Sequence, residues 1–223
     1  MTDPRLLWVL GDSWTDPSGD GWAWKWPRLV SLRLGLGLVN SGRGSAGYVA
    51  AYNPEAISFP VQAARGVGAG AALVVAFGSI NDNAEDPERV HAGAVDTFRM
   101  IRLACPDAPL VVFGPQTVDG PPWPRLPAIR AAVESAARDA GATFVDVLDW
   151  LQGRPELSGD PTHPNPDGHA FLADLIAPIL LAHLQPAADG PPGLVDNVRT
   201  YPRTSPREYV AATPLPPPDT LSA

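Results

Sequence analysis

Ser13 follows Gly11-Asp12, and far along the chain Asp160-Pro161-Thr162-His163 sets a carboxylate three residues ahead of an imidazole. A hydroxyl nucleophile needs a base to take its proton and a carboxylate to hold that base in the right tautomer. Prolines 161 and 164 favour a turn, which can aim both Asp160 and His163 the same way. Attack on a carbonyl also needs donors for the negative charge that grows on its oxygen. Three sets are present: the backbone N–H of Ser13, a backbone N–H in the Gly44/Ser45 turn, and the side-chain amide of Asn81. Together these residues suit acyl transfer through an acyl-Ser13 intermediate.

Taken singly, each residue has an ordinary role. A serine after a strand often caps a helix, and an asparagine after Gly78-Ser79-Ile80 often makes a turn. Asp12 reads as a cap or hydrogen-bond anchor, and Asp82 as a brace of its own loop. His91, His169 and His183 fall in helical segments without an Asp-x-x-His context and read as structural. Trp22 and Trp26, four apart, read as one face of a helix packed on a sheet. Trp14 and Trp123 are expected to contact substrate, because an indole offers a broad apolar face with one polar handle.

The elements that must position these residues are short apolar runs alternating with segments of helical period. Strands are expected at Leu6–Leu10, Leu38–Asn40, Leu73–Phe77, Leu110–Phe113 and Thr143–Val147. Helices are expected at Trp22–Leu34 (interrupted by Pro27), Ile57–Val67, Pro87–Ala104, Pro127–Ala140 and Ala170–Leu184. Such alternation predicts an α/β domain with a parallel sheet. In an open parallel sheet ligands bind beyond the carboxyl ends of the strands. The polar clusters after strands one, two and three, and the one before the last helix, then meet on one rim.

Gly11-Asp12-Ser13-Trp14, the Asn40–Gly47 glycine loop, Gly78-x-x-Asn81-Asp82 and Asp160-x-x-His163 resemble the four signature blocks of the SGNH (GDSL-type) hydrolases, in the family's order. The resemblance runs from about Leu6 to Leu184. It implies a flavodoxin-like three-layer α/β/α sandwich around a mainly parallel five-stranded sheet. It also implies hydrolysis of esters, thioesters or other acyl groups on lipids and carbohydrates, without a metal or other cofactor. Two departures stand out: Trp14 replaces a smaller aliphatic residue, and Ser45 stands where the second block usually has glycine.

Composition bounds the partners. The formal charge is −8 with no basic stripe, so neither nucleic acid nor an anionic membrane surface would be attracted. Cys105 is the lone cysteine, which excludes an internal disulfide and a cysteine-built zinc site. Leu6–Leu10 is too short for a signal-peptide core and no stretch reaches membrane length, so a cytoplasmic or otherwise soluble protein is expected. From Pro186 to Ala223, nine of 38 residues are proline and no apolar period survives. The catalytic domain is therefore expected over 1–185, and 186–223 as an extended or disordered tail, either loose or laid across the domain or a neighbouring subunit, in a homo-oligomer or a larger assembly. The rival reading is a binding or structural module that keeps the fold without turnover. The intact Ser/His/Asp set argues against it. A tryptophan-rich rim favours a small-molecule or carbohydrate ester, as in an O-deacetylase.

Overall fold

Five strands run parallel in the order β2-β1-β3-β4-β5: β1 is Leu6–Gly11, β2 Gly37–Asn40, β3 Leu73–Phe77, β4 Leu110–Phe113 and β5 Thr143–Val145. The structure is a computed structural model that describes residues 5–18, 21–52, 57–120 and 123–184. β3 is buried along its whole length, as its uninterrupted Leu-Val-Val-Ala-Phe requires of a central strand covered on both faces. Alternate residues serve two separate cores. Trp8, Leu10, Val74, Ala76 and Val112 face one side, while Leu7, Val9, Val75, Phe77 and Phe113 face the other.

The first side is covered by α2 (Phe59–Ala64), α3 (Pro87–Ala104) and α4 (Leu126–Asp139); the second by α1 (Trp26–Leu34) and α5 (Pro166–His183). The result is the expected three-layer α/β/α arrangement. α3 is the plainest case of sequence dictating an element. Asp86 caps it by accepting from Glu88 N–H, Pro87 opens it, and Val90, Ala94, Phe98 and Ile101 make its buried stripe.

Two helix starts depart by four residues from the sequence expectation, and α2 is shorter than the expected Ile57–Val67 at both ends. Pro27 opens α1 instead of interrupting it, and the expected Trp22–Leu34 helix is split at Lys25 into a short 3₁₀ turn, Trp22–Trp24, and α1. A proline in the first turn of a helix costs no hydrogen bond, so it marks a start. The last helix begins at Pro166, four residues earlier than expected, because Asn165 caps it by accepting from Gly168 N–H at 2.9 Å. The strand order reverses direction at β1, from which the chain passes to β2 on one side and β3 on the other. A crevice opens at such a switch point, and Ser13 sits directly beyond β1. The expected tail, 186–223, lies outside the described residues.

Candidate active site

After β1 the chain makes a single helical turn. The Asp12 carbonyl accepts from Thr15 N–H and Asp16 N–H, both at 3.0 Å, and from the Thr15 hydroxyl at 2.9 Å. Pro17 has no N–H to continue it, so Ser13 stands on a one-turn elbow and not at the head of a long helix. The elbow is tied down from several sides. Gln62 on α2 brackets the Gly11 peptide, donating to its carbonyl at 3.0 Å and accepting from its N–H at 3.2 Å. Asp12 is fully buried; it accepts from Trp14 N–H at 3.0 Å and from Gln116 Nε2 at 3.0 Å. Burial pushes its pKa up to about 6, against the pull of those hydrogen bonds. Gly78, at φ 132°, lies against this carboxylate: a Cβ there would sit 2.8 Å from Asp12 Oδ2.

The loop before α5 delivers the other two groups. Gly159 N–H donates to the His163 carbonyl at 2.8 Å, closing a turn over Asp160–His163. Asp160 Oδ1 accepts from the backbone N–H groups of Thr162 (2.8 Å) and His163 (2.9 Å), so its carboxylate is fixed before it meets the ring. His163 Nδ1 lies 2.8 Å from Asp160 Oδ2, and His163 Nε2 lies 2.9 Å from Ser13 Oγ. With Nδ1–H donating to the carboxylate, Nε2 is left to accept from the Ser13 hydroxyl. Desolvation alone would raise the Asp160 pKa; hydrogen bonds from Thr162 N–H, the His163 ring and the Thr162 hydroxyl outweigh it and hold the carboxyl at about 2. Asp160 thus keeps its charge across the working range of pH.

The glycine loop after β2 packs onto the elbow. Asn40 Nδ2 donates to the Thr15 carbonyl at 2.6 Å, and a Cβ on Gly42 would fall on the Thr15 hydroxyl. Gly44 N–H donates to Asp16 Oδ2 at 2.6 Å. This corrects one of the expected oxyanion donors, since an N–H bonded to a carboxylate is committed elsewhere. Ser45 remains: it is the one non-glycine residue with positive φ (61°) among the described residues. Among them, neither the Ser45 N–H nor the Ser13 N–H has a protein acceptor. A left-handed residue with a side chain carries a cost of order 1 kcal/mol, which fits a position usually held by glycine. Asn81, in the 3₁₀ turn Ile80–Ala84 after β3, donates one amide hydrogen to the Ala46 carbonyl at 2.8 Å. Ser79 Oγ donates to the same carbonyl at 2.8 Å. Asp82 is a brace, though of the loop after β2 and not of its own: its carboxylate accepts from the Tyr48, Val49 and Ala50 N–H groups.

The two tryptophans part company. Trp14 is 1 % exposed, packs near Phe77, and donates its indole N–H to the Thr162 carbonyl at 2.9 Å. It has no face left for substrate, so the expected contact is corrected: Trp14 supports the loop that carries His163. Trp123 does line a cavity of about 260 Å³, together with Thr117, Leu126, Leu148, Asp149 and Gln152. Gly120, also on its wall, faces the Pro161 carbonyl of the His163 loop. Sequence reasoning missed Asp16, Lys25, Gln62 and Gln116. Their partners are main-chain groups or distant residues, and no local spacing marks them.

The parallel 2-1-3-4-5 sheet has the flavodoxin-like order, and a hydroxyl, an imidazole and a carboxylate lie in line at its switch point. Residues 9–171 match the GDSL-like lipase/acylhydrolase family, and the chain belongs to it. A GDSL lipase of Mycobacterium tuberculosis is 37% identical over 195 residues, covering 79% of this chain and 81% of that protein. Among solved structures, a protein from Lactobacillus plantarum superposes with a TM-score of 0.67 at 15% identity, over 83% of this chain and 100% of that one. A carbohydrate acetylesterase from Sinorhizobium meliloti superposes with a TM-score of 0.62 at 16% identity, over 80% and 99%. These likenesses are of fold. Within the family, the chain is a hydrolase of the ester-cleaving kind. No helix among the described residues is long and apolar enough to cross a membrane.

Proposed function

We propose that the chain is a serine hydrolase of carboxylic esters, with Ser13, His163 and Asp160 as its catalytic residues. The observation that carries this reading is the continuous line from Ser13 Oγ to His163 Nε2 at 2.9 Å and from His163 Nδ1 to Asp160 Oδ2 at 2.8 Å. As Ser13 Oγ attacks the ester carbonyl carbon, its proton passes to His163 Nε2. The imidazolium so formed is stabilised by the Asp160 carboxylate. Collapse of the tetrahedral intermediate breaks the bond to the alcohol oxygen, which leaves with the proton from Nε2. Water then attacks the acyl-serine, giving its proton to His163 Nε2; that proton returns to Ser13 Oγ as the acid departs. The oxyanion is held by the N–H groups of Ser13 and Ser45 and by the second amide hydrogen of Asn81.

A fluorophosphonate probe tests the nucleophile. Labelling of the protein at Ser13, with none in Ser13→Ala, is the expected outcome; a wild-type protein that stays unlabelled while turning over esters would remove Ser13 from the mechanism. For the substrate we favour short acyl groups on a carbohydrate. The Trp123 cavity supports this: it is lined by both Trp123 and Asp149, and an indole with a carboxylate on the same wall suits a sugar ring. The name of the Sinorhizobium meliloti neighbour points the same way, although the relative from Mycobacterium tuberculosis is named a lipase. Acetylated sugars set beside p-nitrophenyl esters of increasing chain length separate the two. Faster turnover of long acyl chains than of acetyl would defeat the carbohydrate reading.

A further inference from the structure

The elbow that presents Ser13 ends after one turn, which leaves main-chain carbonyls pointing forward with no helix to satisfy them. Two of these are met by one side chain. Lys25 Nζ donates to the Ser13 carbonyl at 2.9 Å and to the Asp16 carbonyl at 2.8 Å. The Thr15 carbonyl between them is met by Asn40. The ammonium is half-buried, and among the described residues it forms no salt bridge at close range. Burial draws its pKa down, with Asp16 and Asp12 opposing. Burying a cation is costly, and here the Ser13 and Asp16 carbonyls, together with the charges of Asp16 and Asp12, offset that cost.

The first of these carbonyls belongs to the Ser13–Trp14 peptide. Its carbonyl is gripped by Lys25, and its N–H by the Asp12 carboxylate at 3.0 Å. Two groups of opposite charge thus fix one peptide plane from its two ends. That plane sets the backbone of Ser13 and therefore the direction of Oγ. Lys25 is itself held rigidly. Its carbonyl accepts the first hydrogen bonds of α1, from Arg28 and Leu29 N–H, and Trp26 beside it packs on Phe77 with ring centroids 4.9 Å apart.

We propose that Lys25 is a positioning residue for the nucleophile: by clamping the Ser13 carbonyl it holds the hydroxyl on the His163 side of the crevice. The proposal rests on the serine-hydrolase reading above and adds a residue outside all four signature blocks. Misplacing a reacting atom by about 1 Å can cost on the order of 10²-fold in rate. Loss of the clamp should therefore slow acylation and leave ground-state binding nearly untouched.

The experiment follows fluorophosphonate labelling of Ser13 as a second-order rate, with kcat and KM for p-nitrophenyl acetate alongside. Wild type is measured first; failure to label Ser13 in that arm would sink the serine-hydrolase reading before any variant is made. Lys25→Met is expected to label at least about 10-fold more slowly and to lose kcat in proportion, with KM within about twofold. Lys25→Cys then holds the rest of the protein constant. Cys105, the only native cysteine, is buried, so bromoethylamine alkylates position 25 and rebuilds a lysine-like ammonium. Recovery of most of the labelling rate after alkylation is the expected result. It also decides the matter if Lys25→Met does not fold. Wild-type labelling by a folded Lys25→Met, or a folded Lys25→Cys that alkylation does not rescue, would overturn the proposal while leaving Ser13 as the nucleophile.

Discussion

The hydroxyl, imidazole and carboxylate are brought together by main-chain hydrogen bonds more than by their own attraction. Asp160 is fixed by two backbone N–H groups, and Ser13 by a turn closed on the Asp12 carbonyl. One amide hydrogen of Asn81 tethers the Ala46 carbonyl and so the loop that carries Ser45, and the other is the oxyanion donor of the proposed mechanism. Asn81→Ala should lower kcat by about 10²–10³ with KM little changed, as for loss of one oxyanion donor; steady-state kinetics on a soluble ester check this. A loss confined to KM would make Asn81 a ground-state contact. Asp12 gives a stability prediction. Its pKa of about 6 in the folded protein exceeds the unfolded value near 3.9, so the folded state binds more protons between those values. Its contribution to stability therefore declines as pH rises from about 4 to 6. Asp12→Asn removes that decline, and the otherwise unpartnered Gln116 Oε1 can turn to accept from the new amide. Denaturant melts at pH 4 and 7 should show the variant gaining on wild type by up to about 3 kcal/mol. An equal difference at both values would refute the assignment. Ser13, Asn81, Asp160 and His163 were legible because each sits in a contiguous block of polar residues beside turn formers. Trp14 and Lys25 were not, because burial of the one depends on Thr162 and the role of the other on a carbonyl twelve residues away.

At the scale of elements, the strands and the middle of every helix were legible from apolar runs and stripes, whereas helix starts depended on caps. Asn165 is a cap only because its side chain finds Gly168 N–H, and α5 consequently begins close behind the loop of His163. That early start places His169 in the first turns of α5, fully buried. Its ring lies 5.4 Å from that of Trp24, and its Nδ1 is 3.5 Å from Trp26 N–H, a long contact. α5 is thereby joined to the segment carrying Lys25. Burial first, then the charge of Lys25, lowers the His169 pKa to about 3. In the unfolded chain the same ring takes up its proton near 6.5. The unfolded state then binds more protons between pH 6.5 and 3, so the contribution of His169 is complete above 6.5 and is lost as pH falls toward 3. His169→Asn keeps an acceptor near the Nδ1 position without a titrating group. It should be less stable than wild type at pH 7 and close that gap on acidification, read from urea midpoints at pH 7, 5 and 4. A gap that stays constant over this range would show that His169 charges as readily in the folded protein as outside it.

For the whole molecule, every group assigned to the chemistry lies between β1 and the first residues of α5, and the family match ends at residue 171. Among the described residues, the sheet and the two cores on its faces draw on side chains as far as Leu184. Proline-rich sequence such as 186–223 favours extended backbone that forms no core of its own. A chain ending at Leu184 is therefore expected to fold and to hydrolyse a small soluble ester within about twofold of the full chain, because no donor, base or nucleophile is removed. Truncation should instead change whatever the tail binds. A strap across the domain would show as a lower Tm at unchanged mass, since the buried apolar contacts it adds are lost on deletion. A contact to a second subunit would show as a smaller species by light scattering. Mass and melting temperature measured on both chains distinguish these two roles. The decisive reading is kcat: a truncated chain that folds by circular dichroism and is labelled slowly or not at all at Ser13 would mean that the tail completes the crevice. The catalytic unit would then extend past the helix on which the sequence pattern ends.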